Sequence, residues 1–267
     1  MPGFVPILMY HALSPARTPG FAQWTLTPER FKGHLEYLSG NGYHPVTVAQ
    51  LTAVMSGREP APAENLIALT FDDAYVDFHT TALPMLAEYG MSATLFVPTG
   101  YVGGKSGWML HENEGDRPVL SWGTIAEIAA SGMIEIGAHS HTHPQFDRLP
   151  AGRLAGEIAR PKELLEDKLG QAVTSFAYPF GRFDRRSRDA VAAAGYTAGC
   201  TMLAWSATPS DHLLELPRVS IFQDTDADAL ARRLAAYRNP LRRPVLRGER
   251  AVRAFQQERA RRRNAAA

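Results

Sequence analysis

Eight short runs rich in apolar and β-branched residues recur along the chain, separated by stretches of helical period, and this alternation limits the fold more than any other feature. The runs are PILMY (6–10), HPVTV (44–48), LIALTF (66–71), SATLFV (92–97), MIEIGA (133–138), VTSFAY (173–178), YTAGC (196–200) and LPRVSIF (216–222). Between them, TPERFKGHLEYLSGNG (27–42) opens with a threonine cap and a first-turn proline and closes on glycine, the start and stop signals of a helix. Stretches 78–90, 122–132, 151–170 and 184–195 also end at glycine. Strand and helix in alternation predict βα units and a largely parallel sheet. The expected fold is therefore α/β, a distorted (β/α) barrel of seven or eight strands, closed or incomplete.

One such domain fits residues 1–231, and charge separates it from the C-terminal segment. Residues 232–267 carry 12 Arg and two Glu, whereas residues 1–231 carry a net charge of −9. The basic segment is expected to be an appendage, solvated or partly disordered; an anionic polymer or membrane surface is the weaker alternative, and nucleic acid is not expected as a partner. Cys200 is the single cysteine, so neither an intrachain disulfide nor a site of paired thiolates can form. No apolar stretch approaches the roughly 18 residues of a membrane span. MPGFVPILMYHAL (1–13) reads as a first strand rather than a signal peptide. A cytoplasmic address is the expectation, with export left open.

Four of the runs lead directly into reactive groups. ILMY precedes His11, LIALTF precedes Asp72 and Asp73, IEIGA precedes His139, His141 and His143, and SFAY precedes Pro179-Phe180-Gly181. In a (β/α) barrel the C-terminal strand ends meet on one face, where the active site is built; an open α/β sheet gathers them similarly.

The aspartate pair reads two ways. Either carboxylate could cap the next helix, but one suffices for that. Two adjacent carboxylates repel, and both are accommodated when a cation lies between them or one is a ligand. His139 and His143 are four apart, so a helical or tight-turn backbone sets them on one side, with His141 directed to solvent or behind the ligands. Two imidazoles and one carboxylate leave a position for water, the plan of a catalytic zinc site. In this division Asp73 ligates the ion and Asp72 serves as general base. Such a site suits attack on a carbonyl.

LTFDDAY (69–75), HSHTH (139–143) and FAYPFG (176–181) resemble, in order and spacing, the first three motifs of the polysaccharide deacetylases of carbohydrate esterase family 4, the NodB-homology fold. PILMYHALS, GYHPVTVAQL, ATLFVPTGYVGG, the segment from LSWGT to HPQF and LPRVSIF are similar to that family too, so the resemblance covers about residues 5–222. The first segments look most like the branch acting on poly-N-acetylglucosamine and related exopolysaccharides. The resemblance implies a divalent metal, zinc first with cobalt or nickel as alternatives, and removal of N-acetyl groups from a saccharide with release of acetate. It assigns Asp72 as base, Asp73, His139 and His143 as metal ligands, and the Phe180 backbone N–H as an oxyanion donor.

The chain departs from the family pattern at two points. Ala177 stands where many members carry an arginine that orients the base, and the late Leu-x-His that supplies the acid is absent. Arg218 could supply the guanidinium, or be an ordinary surface arginine. His11 is the preferred acid, against a substrate contact or a core histidine. Tyr178, Pro179 and Trp205 are candidate substrate contacts, and the Gly-rich segment 99–121 a candidate lid. Hydrolysis of O-acetyl esters or non-carbohydrate amides, and saccharide binding with lost catalysis, are the competing readings.

Overall fold

All eight apolar runs form strands in the computed structural model, which describes residues 3–16 and 18–237. β1 (Ile7–Tyr10) leads through a short α1 (Pro19–Ala22) to α2 (Pro28–Gly40), where the Thr27 side chain accepts the Arg30 N–H and Pro28 fills the first position. β2 (His44–Val46) stops short of the expected residue 48. Thr47 leaves the strand to cap α3 (Val48–Met55), and Gln50 returns a bond to the Thr47 N–H. This reciprocal box satisfies two otherwise free donors and overrides the extended preference of Val-Thr-Val.

The order continues with β3 (Leu66–Phe71), a π-helical turn (Phe78–Ala82) running into α4 (Leu83–Glu88), β4 (Ala93–Val97), α5 (Trp122–Ala130) and β5 (Ile134–Ala138). It ends with α6 (Ala151–Leu169), β6 (Ser175–Ala177), α7 (Arg185–Ala193), β7 (Ala198–Cys200), β8 (Val219–Ser220) and α8 (Ala227–Tyr237). Gly170 closes α6 at φ 65°, a left-handed backbone that glycine adopts without a Cβ penalty.

The sheet is parallel throughout, in the order β7-β6-β5-β4-β3-β1-β8. One edge of β3 pairs with β1; the other takes β2 at its start and β4 at its end, a split that distorts the wall. The two ends of the path meet through one bridge, Cys200 with Leu216, just ahead of β8. The ring thus shuts at a thin seam.

Alternation along the strands separates two cores. Leu8, Tyr10, Leu69, Phe71, Ile136 and Phe176 face outward into the layer of helices. Ile7, Ala68, Phe96, Ala177 and Ala198 face inward, where α3 joins them through Val48, Leu51 and Val54. The interior is narrow: a Cβ on Gly137 would lie 2.6 Å from ring carbons of Phe96.

α8 crosses the expected domain boundary at residue 231. Leu230 and Leu234 are buried and the helix packs on α2, so the folded body includes residues up to Tyr237. An amphipathic helix rich in arginine reads as tail because its charge masks its apolar stripe. Residues 238–267 lie outside the described residues. Among the described residues, no helix is long and apolar enough to cross a membrane.

Candidate metal centre

The two aspartates leave β3 in different directions. Asp72 prolongs the strand, its N–H donating to the Tyr10 carbonyl at 3.0 Å. Asp73 and Ala74 then turn through left-handed backbone, at φ 74° and 51°. Both carboxylates are buried, and neither caps the next helix. That removes the capping alternative.

His139 likewise prolongs β5, donating its N–H to the Val97 carbonyl. Its Nδ1 lies 2.8 Å from the carbonyl of Ala177, which fixes a proton there and leaves Nε2 with a free lone pair. His143 does not sit one helical turn on, as the four-residue spacing predicts. Residues 139–143 form an irregular bend in which Ser140 (φ 63°) and His143 (φ 56°) are both left-handed. Such residues cost about 1–3 kcal/mol each and persist where the surroundings hold them. His141 turns to Thr99, with Nδ1 2.9 Å from Thr99 Oγ1, and is not part of the cluster.

Asp73 Oδ1 lies 3.3 Å from His143 Nε2 and 3.6 Å from His139 Nε2, and the two nitrogens are 3.2 Å apart. A tetrahedral ion with bonds near 2.0–2.1 Å would separate its ligand atoms by about 3.4 Å. Asp73 Oδ1 is buried and accepts no hydrogen bond. The donor set therefore fits a divalent ion. Among the described residues it is the one group of this kind.

Arg218 is fully buried, which settles the alternatives left open for it. Its Nη1 and Nη2 donate to the two oxygens of Asp72 at 2.7 and 2.8 Å, its Nη1 to Thr70 Oγ1, and its Nε to the Thr201 carbonyl. Burial opposes ionisation of Asp72, yet Arg218, with His139 and His11, outweighs it and holds the carboxyl below its ordinary range. The same contest at Asp73, with His143 in the leading role, also ends below that range. Burial pushes His139 down to about 4, so it is a neutral donor at neutral pH.

His11 stands within electrostatic reach of the cluster: burial lowers its pKa, Asp72 and Asp73 raise it, and Arg218 and His143 lower it again. Its ring packs 4.9 Å from that of Trp24, and its Nδ1 is buried without a hydrogen bond. Phe180 is left-handed at φ 57° and 39% exposed, with its ring 4.7 Å from that of His143.

The three expected substrate contacts need correction. Tyr178 faces the helices, stacked 5.0 Å from Phe183 with its hydroxyl donating to the Leu214 carbonyl, because alternation after the inward Ala177 sends it outward. Pro179 is buried where it starts the turn to Phe180. Trp205 is only 5% exposed and offers no open face for stacking.

Trp108 does reach the site, its ring 5.0 Å from that of His143 and 4.7 Å from that of Tyr101. The segment that carries it is tied down rather than free. Arg117 Nε donates to Glu114 Oε2 at 2.8 Å, and its Nη1 and Nη2 reach Ser14 Oγ and the Pro15 carbonyl. Glu114 Oε1 accepts the Thr18 N–H, so a buried ion pair joins the loop after β1 to segment 99–121. No motif signals this pair in the sequence.

A sequence model described as polysaccharide deacetylase matches residues 59–199. YxkH of Bacillus subtilis, which bears a polysaccharide deacetylase name, is 28% identical over 220 residues, 82% of this chain and 72% of its own. A Staphylococcus aureus poly-β-1,6-N-acetyl-D-glucosamine N-deacetylase is 22% identical over 210 residues, 75% of this chain and 69% of its own. Among solved structures, the Streptococcus pyogenes deacetylase PplD in complex with acetate superposes with a TM-score of 0.75 at 26% identity, covering 90% of this chain and all of that one.

Proposed function

The chain belongs to the polysaccharide deacetylase family, and on that premise we propose that it removes N-acetyl groups from a β-linked poly-N-acetylglucosamine or its oligomers, releasing acetate and leaving free amines. The observation that carries the reading is the convergence of Asp73, His139 and His143 beside an Asp72 gripped by Arg218.

Asp73, His139 and His143 would hold a divalent ion, zinc being the first choice for two nitrogens and one oxygen. Such an ion supplies Lewis acidity to a substrate carbonyl, worth several kcal/mol of charge stabilisation. Asp72 is ionised at neutral pH and takes a proton from the attacking water at a carboxylate oxygen. Arg218 holds that carboxylate in one orientation through two parallel bonds. Phe180 offers its backbone N–H to the oxygen that gains charge as the carbonyl becomes tetrahedral. His11, in the imidazolium form that Asp72 and Asp73 favour against burial, delivers its proton to the departing nitrogen and ends neutral, so the C–N bond breaks to amine and acetate.

Binding with lost catalysis is motivated by Ala177 and the missing late histidine. Arg218 supplies the guanidinium absent from position 177, which removes half of that motive. The test is acetate release from β-1,6-linked N-acetylglucosamine oligomers by the purified chain with zinc, cobalt or nickel. Release that a chelator abolishes and added metal restores is the expected result. Full activity in metal-free protein would overturn the metal assignment, and preference for O-acetyl esters or small amides would overturn the substrate.

A further inference from the structure

The bend that joins His139 to His143 is held from outside by a residue that neither ligates nor reacts. Glu157, on the second turn of α6, is buried, and both of its oxygens are directed into the bend. Its Oε2 accepts the N–H of His141 at 3.1 Å and of Thr142 at 2.7 Å; its Oε1 accepts the Thr142 hydroxyl at 2.5 Å. The His141 N–H also reaches the Glu157 carbonyl. From the other side, the Gly100 N–H donates to the His141 carbonyl at 2.8 Å, and a Cβ on Gly100 would meet that oxygen at 2.6 Å.

These contacts fall between two left-handed residues, one of which is a metal ligand. Without them the bend would relax toward ordinary backbone and carry His143 Nε2 away from His139 and Asp73. A helix needing only to pack would be served as well by an apolar side chain. A buried carboxylate is costly unless its oxygens are satisfied, and these are satisfied by the ligand bend. Arg153, the cation that pairs with it, is 3.9 Å away on a side chain 65% exposed.

We propose that Glu157 is a positioning residue for the metal centre, holding the bend so that both imidazoles meet Asp73 at ligand spacing. The proposal rests on the assignment of Asp73, His139 and His143 as metal ligands. Partners behind the ligands commonly change metal affinity by about 10–100-fold when removed.

The experiment is zinc affinity, measured on the full chain by competition with a fluorescent chelator, together with the melting temperature of the metal-free protein. Glu157→Ala is expected to weaken zinc binding about 10–100-fold, and Glu157→Gln, which keeps an acceptor for the two N–H groups, by a smaller factor. An affinity equal to wild type in both variants, with only the metal-free melting temperature lowered, would show a packing role and overturn the proposal. Should the alanine variant not fold, the glutamine variant decides: weaker binding supports the proposal and unchanged binding overturns it. Asp73→Asn is the control. If it binds zinc as wild type does, the ligand assignment itself is wrong; if it loses binding while the Glu157 variants do not, only the proposal for Glu157 is wrong.

Discussion

Arg218 and Asp72, 146 residues apart in sequence, meet inside the barrel through two parallel hydrogen bonds of 2.7 and 2.8 Å. The position expected to supply this guanidinium is Ala177, on β6. The same chemical contact is therefore made from the opposite side of the seam, by the residue before β8.

Removing that guanidinium leaves a buried carboxylate unpaired. Arg218→Ala is expected to cost about 3–5 kcal/mol of stability, the usual penalty for breaking a buried pair, read by chemical denaturation of the metal-free protein. Adding Asp72→Asn removes the stranded charge, so the double variant should recover part of the loss. A double variant that loses the sum of the two single effects would show that the pair is not coupled.

The role given to His11 separates by leaving group. His11→Ala should lower kcat on an N-acetyl sugar by about 10²–10⁴-fold, because an amine leaves poorly without a proton. On an activated aryl acetate, whose phenolate leaves unaided, the same variant should lose little. Equal losses on both substrates would reassign His11 to binding or to support of the site.

Acid should destabilise the metal-free protein through His139, and through His34, which burial holds equally low at about 4. An unfolded imidazole titrates near 6.5, whereas burial holds His139 down at about 4 in the fold. The unfolded state therefore binds more protons across that window, and stability falls as pH drops from about 6.5 toward 4. The loss is on the order of 3 kcal/mol at its limit, measured as denaturation midpoint against pH. His139→Gln should make the slope shallower, leaving the share that His34 contributes. A slope unchanged in that variant would place the titrating group elsewhere.

Much of the architecture is legible in the chain. Alternating runs mark all eight strands, because a strand buried on both faces reads as an apolar run whatever its partner. The cluster of Asp73, His139 and His143 is legible because two imidazoles and an aspartate at strand ends have few structural uses. α3 is not, because Val-Thr-Val promises a strand, and the Thr47–Gln50 box that overrides it is only a two-residue signal. Tyr178 is misplaced for want of register: one step along a strand moves a side chain from barrel to helix layer. Glu157 leaves no trace at all, since an acidic residue on an amphipathic helix looks like solvated surface until the bend it holds is seen.

The thin seam has one more consequence. Asp73, His139 and His143 all come from strand ends that precede the closing segment, while the partner of Asp72 sits two residues beyond the Cys200–Leu216 bridge. A barrel with its last strand undocked would retain that cluster yet leave the Asp72 carboxylate without its buttress. A frayed terminal strand would thus loosen Asp72 before it disturbed the cluster of Asp73, His139 and His143.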